Sequence, residues 1–403
     1  MIPASEARSD ASGGRWLILA VFVLSSAINY LDRQTLAMLA PVVRSEFSLS
    51  NRDYGLILTA FSVTYAAGAP FAGLLVDRIG LNRAITIAVG TWSAAGIWTG
   101  YTRSLGGLIA CRALLGLAEA AGIPAAAKAI HYYLKPGERA LGNALNQAGI
   151  SAGLVLAPPL ATWVAERYGW REAFVLTGAL GLLWIPVWNA VARGRRPTAE
   201  LRPLPLSQIE LWRSRRLWGF VAANALSMII YSLWTNWTAL YLVEAQGLTL
   251  AQAAWYAWIP PVFATLGGFT GGWLSLMWIR RGLKPAAART RACLVSGAAA
   301  LVTVLVPLLP GAGWASGGIS LSIFSVAAFS VNMYTLPLDT FGGLHAAFAV
   351  SLLVSSYGVV QALVSPAFGA LIDAWGYGPV CVLAAGTPLA AWVVLRWTEP
   401  QET

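Results

Sequence analysis

Apolar residues along this chain gather into runs of roughly 20, each long enough to cross a hydrocarbon core of about 30 Å as a helix. Polar or Gly- and Pro-containing breaks separate them. Twelve runs can be read. The first six are Trp16–Leu39, Tyr54–Leu75, Ala84–Tyr101, Leu105–Ile130, Gly142–Ala165 and Ala173–Val191. The second six are Leu217–Val243, Leu250–Leu276, Thr290–Leu309, Gly317–Leu338, Ala347–Leu371 and Pro379–Arg396. The pattern predicts an all-α integral membrane protein. The longest polar interruption falls between the two sets, so the expected organisation is a bundle over 1–191, a linker over 192–216 and a second bundle over 217–403. Two internal echoes support two related six-helix halves. The stretch Gly73–Gly80 resembles Gly271–Gly282, and Pro159 and Gly169 recur as Pro366 and Gly376. Paired repeats of this kind rock about a central site in transporters.

Composition agrees: 57% of the 403 residues are hydrophobic and 11% charged, too few charges to cover a soluble surface. The net charge of +10 is explained by topology rather than by a nucleic-acid partner. With a cytoplasmic N-terminus, only Arg44, Arg52, Arg103, Arg167 and Arg171 lie outside and only Arg33 and Arg112 lie well within spans. The other 20 of the 27 Lys and Arg residues are cytoplasmic. Both termini are therefore expected inside. The first run is too long for the apolar core of a cleavable signal. Cys111, Cys293 and Cys381 sit in apolar runs without metal spacing and read as core residues. No metal or cofactor is expected.

Ionisable groups inside a bilayer are costly and call for a functional account. Of 17 acidic residues, only Asp32 and Glu119 fall well inside spans; Arg33 and Arg112 accompany them on spans one and four. At about 1.5 Å per residue, Asp32 lies about 24 Å past Trp16, and Arg112 about 10 Å below the outer end of span four. The two could meet in the outer half of the membrane. Arg112 and Glu119, seven residues apart, share one helix face. The alternative is a structural ion-pair set, but desolvation offsets most of the gain of such pairs. Two acids beside two arginines suit a proton relay with an anion site, because a guanidinium fork grips a carboxylate. Candidate lining residues are Tyr30, Tyr65, Asn146, Gln147, Trp234, Asn236, Ser355, Ser356 and Gln361. Asp77, Arg78 and Arg83, at a short cytoplasmic turn, are a candidate conformational latch.

The turn Gly73-x-x-x-Asp77-Arg78-x-Gly80-x-x-Arg83 resembles the signature of the major facilitator superfamily. Several further stretches are similar to its anion:cation symporter family, which includes bacterial hexuronate and galactonate carriers. They are Asn29-Tyr30-Leu31-Asp32-Arg33, Arg112-x6-Glu119-Ala120, Pro136-x-Glu138-Arg139-Ala140, Gly169-Trp170-Arg171-x-Ala173-Phe174 and Gly178-x-x-Gly181. The resemblance implies two pseudo-symmetric bundles and proton-driven symport of an organic anion. It implies proton coupling at the positions of Asp32 and Glu119, and anion binding at those of Arg33 and Arg112. The chain departs from the pattern at Leu276, where an acidic residue is usual, and at Ile150 and Val359, where sugar-acid carriers tend to be polar.

The expectation is a secondary transporter for a sugar acid such as a hexuronate or hexonate, acting as a monomer in a bacterial inner membrane. Its partners would be a small organic anion, a proton and membrane lipid. Alternatives are a carrier of a less hydroxylated or aromatic carboxylate, an exchanger without protons, or a drug exporter. An enzyme would need a nucleophile–base set or metal ligands, and His131 and His345 offer neither.

Overall fold

The computed structural model describes residues 4–135, 138–193 and 209–398, without the side chains of 4–13, 70, 74, 77, 140, 209, 210 and 342–348. Every regular element among the described residues is helical. In chain order they are α1 (Ala4–Phe47), α2 (Asn51–Ile79), α3 (Leu81–Tyr101), α4 (Leu105–Glu119), α5 (Gly122–Tyr133), α6 (Arg139–Tyr168), α7 (Trp170–Ala192) and α8 (Ile209–Trp212). Then follow α9 (Arg215–Glu244), α10 (Leu250–Ala257), α11 (Ile259–Arg280), α12 (Pro285–Ala299), a 3-10 segment (Ala300–Leu308), α13 (Gly311–Trp375), α14 (Tyr377–Ala385) and α15 (Thr387–Trp397).

All twelve predicted spans land on helix, and the protein is a multi-pass membrane protein. Ten segments of the described residues are long and apolar enough to cross a membrane. The other two predicted spans are α2 and α3, helices of 29 and 21 residues. The structure subdivides four spans expected to be continuous. Span four breaks between α4 and α5, eight between α10 and α11, nine at the 3-10 segment and twelve between α14 and α15. Proline accounts for three of these joints. Pro124, Pro260 with Pro261, and Pro388 each lack the amide that would continue the helix. Spans ten and eleven share one helical backbone, α13, which holds two separate apolar segments, Gly311–Phe341 and Ala349–Trp375.

Where helices follow each other directly, glycine takes the turn. Gly80, Gly169 and Gly376 have φ of 84°, 107° and 74°, a region that side chains disfavour. Gly169 and Gly376 are the repeated pair noted in the sequence, so the echo marks the same joint in each half.

The chain groups into two compact units, Met1–Leu36 with Ala67–Pro203, and Ala37–Ala66 with Leu204–Thr403. The hairpin between spans one and two thus belongs with the C-terminal helices, which the order of spans did not foretell.

In the first unit, glycines let backbones touch. A Cβ on Gly153 of α6 would lie 2.3 Å from the Ala27 carbonyl of α1, and one on Gly178 of α7 would lie 2.6 Å from the Ser93 carbonyl of α3. Small residues at crossings substitute in a membrane for the hydrophobic effect. Trp184 donates to the Val21 carbonyl (2.6 Å) and stacks on Trp188, joining α7 to α1. Tyr133 donates to Asn82 (3.3 Å), tying the end of span four to the start of span three.

In the second unit, Phe220, Phe329, Met333, Leu353 and Leu395 form a fully buried core. Arg289 pairs with Asp339, again joining the start of one span to the end of the next. Arg216, buried beside Phe220, donates to the Leu395 carbonyl (2.7 Å), satisfying an acceptor in the last turn of α15.

Helix α2 begins with a reciprocal cap. The Asp53 amide donates to Ser50 Oγ (3.0 Å), while the Ser50 amide and hydroxyl donate to Asp53 Oδ2 at 3.0 and 2.7 Å. These hydrogen bonds hold the Asp53 carboxyl below its ordinary range. Their stabilisation is therefore present at neutral pH and is lost as pH falls through about 4 and below. Ser50→Ala is expected to cost about 1 kcal/mol at pH 7. Thermal unfolding should show that difference shrink at acid pH.

Candidate functional site

The first unit gathers the charged residues singled out by burial cost. Asp32, Arg112 and Glu119 are all at least 97% buried. The guanidinium of Arg33 reaches across from α1 to α4 and donates to Glu119 Oε2 twice, from Nε (3.0 Å) and Nη2 (2.6 Å). The same guanidinium lies 4.8 Å from the ring of Tyr30, one helical turn back. Asn29 borders Glu119 from α1.

Asp32, adjacent to Arg33, points elsewhere, because consecutive helix residues differ by about 100° in direction. Its carboxylate lies beside Thr177 of α7, with Arg112 and Glu119 close enough to act on it electrostatically. Space for it exists because α3 and α7 present glycines. A Cβ on Gly96 would sit 3.8 and 3.9 Å from the two Asp32 oxygens and 3.7 Å from Gly178. Arg112 lies over the ring of Phe174 at 5.6 Å. Depth along the spans lets Asp32 meet Arg112 in the outer half; the structure pairs Arg33 directly with Glu119.

Glu119 is the last residue of α4, and the helix restarts at Gly122. Pro124 has no amide to give the Ala120 carbonyl, so the helix is interrupted beside its buried acid. Broken helices of this kind are how membrane carriers bring polar backbone to a binding site. Two residues here escaped the sequence reading. The apolar pattern gives no signal for Thr177, an ordinary residue of span six. Lys128 of α5, counted as cytoplasmic, is 94% buried and donates to the Val76 carbonyl (2.8 Å). The signal available for Lys128 was its position before the end of an apolar run.

The other candidates scatter more widely. Asn146 accepts from Ser26 (2.7 Å) in the first unit, while Gln147 is exposed. Arg78 and Arg83 are exposed at the α2–α3 turn, and the side chain of Asp77 lies outside the described residues. In the second unit, Tyr65 stacks on Phe61 and Trp234 packs edge-on against Tyr241 within the core. Asn236 donates to the Ser232 carbonyl, and Ser355 to that of Ser351. Asn224, another residue not foreseen, donates to Ser356 Oγ (3.0 Å) and the Leu353 carbonyl (2.8 Å). Gln361 is buried, its carbonyl accepting from Ser365, and Tyr231 meets Tyr357 edge-on at 6.0 Å. Among the described residues, no three His, Cys, Asp or Glu side chains group as metal ligands.

Apolar helices, direct glycine crossings and buried charge beside a broken helix define a membrane carrier. Residues 22–347 match the Major Facilitator Superfamily, and the chain belongs to that family. The hexuronate transporter of Escherichia coli (strain K12) is 28% identical over 407 residues, covering 96% of this chain and 94% of that protein. A probable sulfoacetate transporter of Cupriavidus necator is 29% identical, covering 90% and 88%. The D-galactonate transporter of Escherichia coli O6:H1 is 25% identical, covering 93% and 97%. Among solved structures, a bacterial homolog of the human lysosomal transporter Spinster, inward-facing and unoccupied, aligns with a TM-score of 0.73. Its identity is 21%, over 96% of this chain and 95% of that one, and it shares the fold. These family and relative names are those of transporters, not enzymes.

Proposed function

We propose that this protein is a proton-coupled symporter that brings a sugar-acid monoanion, such as a hexuronate or hexonate, into a bacterial cell. It would act as a monomer in the inner membrane with both termini cytoplasmic, an orientation that the distribution of Lys and Arg supports. The observation that carries the reading is the Arg33–Glu119 pair, its acid fully buried and its arginine partly so, with a second acid and a second arginine beside it.

The coupling follows from charge balance. A proton on Glu119 neutralises the partner of Arg33 and leaves its guanidinium facing a low-dielectric interior. Breaking one side of a buried pair is costly, and the cost is reduced but not removed where one partner is partly exposed, so protonation alone is unfavourable. A substrate carboxylate binding to Arg33 restores the balance. An anion entering while Glu119 is ionised would bring a third charge to a satisfied pair. Proton and anion therefore favour each other, and neither crosses well alone. Asp32 is proposed to relay the proton to and from Glu119, and Arg112 is the second cation for the anion. Tyr30, Asn146 and Gln147 of the first unit are proposed as substrate-binding residues, and so are Tyr65, Asn236, Ser355, Ser356 and Gln361 of the second; Trp234, packed in the core, is not. Asp77, Arg78 and Arg83 are proposed as the cytoplasmic latch.

The relatives named for hexuronate and D-galactonate support the substrate class. A less hydroxylated acid is the second reading, favoured by the apolar Ile150 and the largely exposed, apolar Val359 and by the relative named for sulfoacetate. Uptake into proteoliposomes separates them. Glucuronate or galactonate should accumulate only with an inward proton gradient. Accumulation of sulfoacetate or an aromatic acid in their place would move the substrate away from sugars, and uptake indifferent to the gradient would sink the coupling.

A further inference from the structure

Cations gather at one end of the second unit, where α9 begins, α11 ends, α12 begins and α15 stops. It is the cytoplasmic end in the orientation proposed above. Arg213, Arg215, Arg280, Arg281, Arg291 and Arg396 are all exposed there. Acids are scarce. None occurs between Glu244 and Asp339 in the sequence. Among the described side chains of α9 to α15, Asp339 is the one carboxylate at this end, and Arg289 holds it. Glu244 and Asp373 stand at the opposite ends of their helices. Unbalanced like charges repel, so this end gains from negative charge supplied from outside the helices.

One corner of this end has a shape as well as a charge. The Arg215 guanidinium lies 4.4 Å over the Trp397 ring and donates to the Trp397 carbonyl (3.3 Å). Trp218 donates to the Trp212 carbonyl (2.9 Å), and their rings lie 5.8 Å apart. A Cβ on Gly219 would collide with Thr398 Oγ1, so the start of α9 and the end of α15 touch directly. All three indoles remain exposed, as does the apolar Val393 one turn deeper on α15. Arg213 and Arg396 adjoin Trp212 and Trp397 in the chain. A guanidinium carries five N–H groups in a fixed fork, so Arg215, held flat on an indole, has donors to spare for a phosphate. Indoles at span ends sit at headgroup level, with the ring body toward the acyl chains. Cationic forks beside flat apolar faces match a phosphodiester attached to a hydrocarbon chain.

We propose that this corner, formed by Arg213, Arg215 and Arg396 with Trp212, Trp218 and Trp397, binds the headgroup of an anionic phospholipid from the surrounding leaflet. Basic side chains at a bilayer surface attract such headgroups. The bound lipid ties the start of α9 to the end of α15. The site stands apart from the substrate reading and does not depend on it.

The test titrates full-length protein in neutral detergent with phosphatidylglycerol, phosphatidylcholine or inorganic phosphate. Native mass spectrometry counts bound lipid, and thermal unfolding follows stability. Phosphatidylglycerol is expected to be retained and to raise the unfolding midpoint by several degrees, whereas the other two do neither. Arg213→Gln and Arg396→Gln should each weaken retention roughly fivefold. Arg215→Gln should weaken it more, and Arg215→Lys, which keeps the charge but loses the fork, serves if the glutamine variant fails to fold. Arg280→Gln with Arg281→Gln removes two exposed cations from the same end and should leave retention nearly unchanged. Equal losses from that control would mean a diffuse attraction and overturn the site. So would stabilisation that inorganic phosphate matches. Phosphatidylglycerol binding that appears only after Glu399→Gln and Glu402→Gln would give the corner to the chain's own tail and overturn it as well.

Discussion

Glu119→Gln is expected to abolish accumulation driven by a proton gradient while leaving exchange of substrate across the membrane measurable. Glutamine keeps the size of the side chain at the end of α4 but can neither take up nor release a proton. Arg33 then faces a permanently neutral partner, the state proposed to receive the anion. Binding is retained and the link to protons is cut. With one proton per monoanion, a one-unit inward gradient is worth about 1.4 kcal/mol, or roughly tenfold accumulation. In the variant the ratio should fall to about one, while counterflow against preloaded substrate continues. Tenfold accumulation persisting in the variant would remove Glu119 from the coupling. Arg33→Gln is the complementary change and should be worse for the fold, since it leaves Glu119 buried without the two bonds that hold it.

Gly271→Ala and Gly272→Ala, adjacent substitutions on α11, should have opposite signs. A Cβ on Gly271 would lie 2.3 Å from the Ala328 carbonyl of α13, and Asn332 donates to the Gly271 carbonyl across the same contact (2.9 Å). The obstacle is backbone, so α11 must move away as a body. Overpacking of this kind costs about 1–3 kcal/mol. A Cβ on Gly272 meets nothing within 4 Å, and alanine is the better helix former by about 0.5–1 kcal/mol. Thermal shift in detergent should show Gly271→Ala several degrees below the parent and Gly272→Ala level with it or slightly above. Equal midpoints would mean that the α11–α13 crossing is loose.

The span pattern was legible because membrane solvation is unforgiving: apolar length alone placed all twelve spans on helix, though not the breaks within four of them. The charged site was legible for the same reason, since Asp32, Arg33, Arg112 and Glu119 stood out against apolar surroundings. What could not be read was direction around the helix axis. Depth along the spans put Asp32 near Arg112 but could not tell that its neighbour Arg33 would take Glu119. Pro124 signalled a bend, yet whether a proline kinks or breaks a helix depends on what replaces the lost bond. Chain order assigns the Ala37–Ala66 hairpin to the first half, whereas its one glycine, Gly55, packs against α13. Trp234 looked like a cavity residue, but packing against Tyr241 holds it in the core.

The division of the charges between α1 and α4 also bears on biosynthesis. Asp32 and Arg33 leave the ribosome long before Arg112 and Glu119, and a charge at the centre of an inserting helix carries a penalty of about 2.5–3.5 kcal/mol. The first helix is thus a poor lodger in lipid until the fourth arrives with the acid that Arg33 requires. Chains cut after the third helix should slip from the membrane or be degraded, and those cut after the fifth should stay. The pair proposed to couple transport would in this way also check that the first unit has been assembled in order.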